Sequence, residues 1–244
     1  MHQRLVLILI AALLATACSS VNQSIEVGDG EVFEGSLATV NGSIQVGNES
    51  TVTGSIANVN GSIAIGHSSQ VGEVRNVNGP ISIGARAIAA SLETVNGSTR
   101  IGESARIEGA VSGINGAIST SPNAHVAGEL RTVNGAIRME AGSRVLGKVA
   151  TTNGSIRMDQ AEAGAIETRR GTIEILNGSV VSGSLRVPPA DATDRGPIRI
   201  VIGANSRVAG PLEFEREVAL YVHQSAAIGE VIGAEVRPFS GEAP

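Results

Sequence analysis

Large aromatic side chains are nearly absent: the 244 residues contain no tryptophan, one tyrosine (Tyr221) and three phenylalanines. Aromatics normally supply much of the area that a globular core buries. This chain must therefore build its core from Val, Ile, Leu and Ala. Lysine occurs once, at Lys148, no basic run appears, and the net charge is -5. The electrostatic footprint of a nucleic-acid binder is missing, which excludes nucleic acid as a partner. Aspartate is limited to Asp29, Asp159, Asp191 and Asp194, and cysteine to Cys18. What is plentiful is glycine, with 31 residues.

The one long apolar run lies at the start. Arg4 followed by Leu5 to Ala15 has the charge and length of a secretory signal, too short to span a bilayer. Residues 1–17 are expected to be removed. The segment Ala15-Thr16-Ala17 is a serviceable site for ordinary signal cleavage, and with Cys18 it also resembles the lipobox of bacterial lipoproteins. A lone cysteine directly after that site favours lipidation, because plain secretion leaves an unpaired thiol at the N-terminus. The lipoprotein resemblance implies acylation of Cys18, a tether at residues 18–24, and, with Ser19 next, sorting to the outer membrane.

Seven copies of one motif follow. VNGSI at Val40 and Val59 becomes VNGPI at Val77, VNGST at Val95, INGAI at Ile114, VNGAI at Val133 and TNGSI at Thr152. Their asparagines, Asn41, Asn60, Asn78, Asn96, Asn115, Asn134 and Asn153, are 18 or 19 residues apart. Within a period, apolar residues recur in steps of six, as in Val40, Val46 and Val52, or Val59, Ile65 and Val71. Three six-residue legs per coil predict an all-β, three-sided parallel β-helix (β-solenoid) with 18–19 residues per coil. Ile44 and Val46, or Ile63 and Ile65, are two apart and share one face, as in a strand. Val40 and Ile44 are expected in the core, and the glycines at corners that need positive φ. About eleven coils are expected over residues 25–236, with an insertion at 188–197 (PPADATDRGP) and a tail at 237–244. At about 4.8 Å per rung the rod is roughly 50 Å long. A coil stacks on neighbours or does not fold, so isolated repeats are unstable.

The pairing of I-G-x-x-S/A with V-x-G-x-I, as in IGESARIEGAV (101–111) and MEAGSRVLGKV (139–149), resembles bactofilins, polymer-forming bacterial proteins. That resemblance implies a right-handed three-sided helix stacking end to end. Bactofilins are typically cytoplasmic and lack a signal peptide, whereas residues 1–18 read as an export signal. The VNGSI legs are equally similar to putative-adhesin β-solenoids of bacterial envelopes. The second leg alone matches the hexapeptide of left-handed acyltransferases, but the other legs place bulky aliphatics where that hexapeptide has small residues.

Candidate chemistry is sparse. The asparagine column reads as a structural ladder, since corner asparagine caps its own turn and stacks with its copies. NGS at Asn41, Asn60, Asn96, Asn153 and Asn177 matches a glycosylation acceptor as a by-product of the repeat. Arg100, Arg138 and Arg157 share one outward position, with Glu140 and Asp159 placed to neutralise the last two. His67, His125 and His223 fall at different offsets and lack partners at metal-ligand spacing. Asp191, Asp194 and Arg195 form the polar cluster of the insertion. These residues predict no catalytic site, no cofactor and no metal. The expectation is a non-enzymatic, lipid-anchored rod of the bacterial envelope, a scaffold or adhesin-like spacer that self-associates through its coil ends. The alternative is a β-helical enzyme or binding protein acting on envelope polysaccharide.

Overall fold

The computed structural model describes residues 18–189, 196–241 and 243–244. All regular structure among them is β-strand, and the strands pair in parallel, each with the strand one turn away. A turn contributes three segments. On the first face a strand ends at a motif asparagine, as in Leu37–Asn41 and Ile56–Asn60. On the second face a three-residue strand follows the motif, as in Ile44–Val46 and Ile63–Ile65. The third face carries shorter strands such as Thr51–Val52 and Arg106–Ile107. Strands that run through a corner, such as Gln70–Asn78 and Ile88–Asn96, join the third and first faces into one 19-stranded sheet; the second face is a separate sheet of 12. The result is a β-solenoid of about eleven turns, and three segments per turn agree with a three-sided section.

Register follows the repeat. Ile44 faces Ile63, which faces Ile81, which faces Thr99. Further along, Ile173 faces Ile200 and Leu185 faces Leu212, so that turn carries its extra residues between Val187 and Ile198, where the insertion was expected. At the start, Cys18–Ser20 pairs with Leu37–Thr39, so the segment expected as a tether contains the first strand of the stack. At the end, Val236–Phe239 pairs with Leu220–His223, extending the last rung into the expected tail.

One apolar core runs the length of the rod, from Val27 to Val222. In a typical turn Ile56, Ile63, Ile65 and Val71 point inward and are buried, each contributing about 1.5–3 kcal/mol on leaving water. The motif valines do not belong to it. Leu37, four residues before the asparagine, is fully buried, whereas Val40 is only half-buried and faces outward. The chain bends at Asn41 and Gly42, so the alternation that puts Leu37 and Thr39 inside is not carried over to Ile44. Val77 and Val95 pack with Val59 and Ile114 into a small second cluster on the outer side, and Val133 is 40% exposed.

The glycines also differ from expectation. Stacked backbones approach so closely at the motif that a Cβ at Gly97 would overlap the carbonyl oxygen of Gly79, and one at Gly116 that of Gly97. Proximity, rather than a positive φ at every copy, requires glycine there. The left-handed conformation is instead concentrated at the corner between the second and third faces. Glu49, Ser68, Arg86 and Ser104 adopt it at φ 56°, although it costs a side-chain-bearing residue about 1–2 kcal/mol.

Candidate functional site: the asparagine column and the outer faces

The asparagines of the repeat stand in register at the edge of the first face, because Asn41, Asn60, Asn78, Asn96, Asn115, Asn134 and Asn153 each end a first-face strand. Each donates its Nδ2–H to the Oδ1 of the asparagine one turn earlier. The distances are 2.9 Å from Asn60 to Asn41, 2.9 Å from Asn78 to Asn60, and 2.7 Å from Asn153 to Asn134. Two residues missed in the sequence extend the column. Asn22 accepts from Asn41 at 2.8 Å, and Arg170 donates to Asn153 at 3.5 Å. Val21-Asn22 repeats the motif's first two residues, which is the signal that could have found the former. Chemically, an inner member of the column uses one amide hydrogen and its oxygen on its neighbours. Such a ladder stiffens the stack.

A second polar column lies inside, two residues before the motif asparagines, interrupted only before Asn115, where Gly113 takes the place. Asn58 donates to Gly42 O and Asn76 to Gly61 O, both at 2.8 Å; Thr132 donates to Gly116 O and Thr151 to Gly135 O, both at 3.1 Å. These side chains hold the carbonyls of the motif glycines one turn back. The recurrent T/N-V-N triplets were its sequence signal. Thr94 and Thr99 are buried nearby with hydroxyls that have no partner.

On the second face, Arg100, Ser119, Arg138, Arg157 and Glu174 follow one another in register. Arg157 pairs with Glu174 at 2.6 Å and lies 3.7 Å from Asp159. Arg138 stacks between Ser119 and Arg157 and forms no ion pair with Glu140. An open groove lined by Arg138, Glu140, Arg157, Asp159 and Glu174 marks this part of the face.

The histidines stand apart. His67 has a buried Nδ1 without a partner, while its backbone N–H donates to Asn48 Oδ1 at 3.1 Å. His223 shares a 2.8 Å hydrogen bond with Ser225 and meets Phe239 edge to face at 5.1 Å. His125 faces Arg106 on one side and Arg144 on the other. Partial burial, then the charges of Arg106 and Arg144, lower its pKa below the ordinary histidine value. Among the described residues no three His, Cys, Asp or Glu side chains gather as a metal site.

Asp29 accepts the backbone N–H of Asn48 at 2.6 Å, and Asp159 accepts Nδ2–H of Asn177 at 2.8 Å, so both are tied into corner structure. Asp191, Asp194 and Arg195, like the expected signal at residues 1–17, lie outside the described residues. Cys18 opens the first strand. No helix among the described residues is long and apolar enough to cross a membrane. No family model, curated protein or solved structure matches this chain.

Proposed function

We propose that this protein is a non-enzymatic envelope lipoprotein, a stiff β-helical rod held at one end by acylation of Cys18 and acting as a scaffold or adhesin-like spacer at the outer membrane. The carrying observation is the position of Cys18: Cys18–Ser20 is paired in register with Leu37–Thr39 at the very start of an unbroken stack. A lipid there joins the rod without a flexible linker, so the first turn sits against the bilayer and the later turns are presented away from it. Support for a mechanical role comes from the asparagine ladder and the inner column, whose hydrogen bonds run from one turn to the next. One acyl chain binds a membrane only marginally, so stable anchoring takes more than one chain on Cys18.

The test is fractionation of cells making the wild type and Cys18→Ser. The proposal expects the wild type in the membrane fraction, released by detergent, and the variant in the soluble fraction. Equal distribution of the two removes the anchor.

A second reading, binding of envelope polysaccharide along the second face, is favoured by the groove around Arg138 and Arg157. Retention of the protein on an acidic polysaccharide column, lost in Arg138→Ala, distinguishes it from a plain spacer.

A further inference from the structure

The last turn consists of Ala227–Ile228 on the third face, Val231–Ile232 on the first and Val236–Phe239 on the second. Each pairs with the preceding turn on one side. On the other side their ladder groups face outward, and Ile232 and Val236 are 49% and 41% exposed. A bare apolar rung with open hydrogen-bonding groups is a template for another strand. The cross-section that fits it best is a turn of the same chain.

Two features of this rung oppose such addition. In a parallel ladder alternate residues direct their N–H groups to opposite neighbours. Gln224 N–H donates to Phe239 O at 3.1 Å, and in register the N–H groups of Arg237 and Phe239 point back to the Leu220–His223 strand. The amide positions of Val236 and Pro238 then face away from the stack, and Pro238 has no N–H to offer. Charge works in the same direction. The last turn carries Glu230, Glu235 and Arg237, while the first carries Glu26, Asp29, Glu31 and Glu34 with no lysine or arginine. Head-to-tail stacking sets these two acidic surfaces about one rung apart, some 4.8 Å. Arg237 would face Glu26 there, one attraction against a surplus of like charge. Proline and charge on an exposed edge are the standard devices against strand addition.

We infer that the C-terminal turn is an edge guard, in which Pro238, Glu230 and Glu235 stop a second copy of this chain from stacking on the rung formed by Ala227–Ile228, Val231–Ile232 and Val236–Phe239. A second copy therefore does not add to this rung, and the stack does not grow into a filament through it. The inference concerns the end opposite Cys18 and holds whether or not that residue is acylated.

The experiment is sedimentation of the purified protein in density-matched detergent over a hundredfold range of concentration, with chemical cross-linking mapped between residues 18–36 and 227–239. The wild type is compared with Pro238→Val and with the triple variant Pro238→Val, Glu230→Lys, Glu235→Lys. The expected result is a wild type with no cross-links between its first and last turns at any concentration, and a triple variant that associates at least tenfold more tightly through those turns. Pro238→Val alone falls between them. Circular dichroism establishes that the variants fold. Wild-type protein cross-linked first turn to last turn, or a folded triple variant that stays unassociated through the series, overturns the inference.

Discussion

Asn115 donates its Nδ2–H to the Oδ1 of Asn96, 2.8 Å away and one full turn earlier in the chain, and Asn134 donates to Asn115 in the same way. Each inner asparagine therefore takes part in two hydrogen bonds of the column. Removing one breaks both. Asn96→Ala and Asn115→Ala are each expected to lower stability by about 1 kcal/mol, the exposed setting keeping the loss near that of a single net hydrogen bond. Urea denaturation of each variant checks it, with Asn22→Ala, which ends the column, expected to cost less.

The motif glycines predict a sharper effect. At Gly97 and Gly116 an added Cβ would meet the backbone of the preceding turn, which cannot move without shifting the whole rung. Gly97→Ala and Gly116→Ala should each cost at least about 2–3 kcal/mol, as overpacking against fixed atoms does. Gly30 is the internal control. It has φ 70° but nothing within 4 Å of an added Cβ, so Gly30→Ala should cost only about 1–2 kcal/mol. Thermal melts of the three variants rank them, and equal losses contradict the stacking account.

The inner column predicts opposite signs for the same substitution. Thr132 Oγ1 holds Gly116 O at 3.1 Å, whereas Thr94 Oγ1 is buried without a partner. Thr132→Val should lose about 1 kcal/mol, and Thr94→Val should be neutral or stabilising, because an unpaired buried hydroxyl costs about 1–3 kcal/mol. Denaturation midpoints of the pair decide it.

His125 sets a pH dependence. Its pKa is depressed in the folded rod by partial burial and by Arg106 and Arg144. As pH falls through the unfolded value near 6.5, the unfolded chain takes up a proton that the folded chain resists. Stability is thus lost on acidification from about pH 7 downward, until the lower folded pKa is passed. His125→Gln should flatten this part of the stability curve, and stability measured at several pH values against the wild type reads the difference.

The parts of this fold that were legible in the sequence are those where one residue type recurs at one place. Asn41 to Asn153 are identical and evenly spaced, so the period, the parallel stacking and the column followed from them. Val40 misled because it is as apolar as Leu37, and hydropathy alone does not show that the bend at Asn41 and Gly42 resets which side faces in. The left-handed corner was hidden by its mixed occupants: Asn123 and Asn205 suit that conformation, but Glu49, Ser68, Arg86 and Ser104 adopt it as well without belonging to one residue type. Arg170 was missed since it replaces asparagine in a turn two residues shorter than the one before it, Ile156 facing Ile173 where Ile137 faces Ile156. The charges of the second face were only half readable. Position placed Arg157 near Asp159, but whether Arg138 meets Glu140 depends on side-chain reach that spacing does not encode.

The most direct measurement of the central claim is the intact mass of the mature protein purified from its membrane fraction. The account predicts a chain that begins at Cys18 and carries the added mass of acyl chains on that residue. A chain that begins elsewhere, or that begins at Cys18 with a free thiol and no added mass, contradicts it.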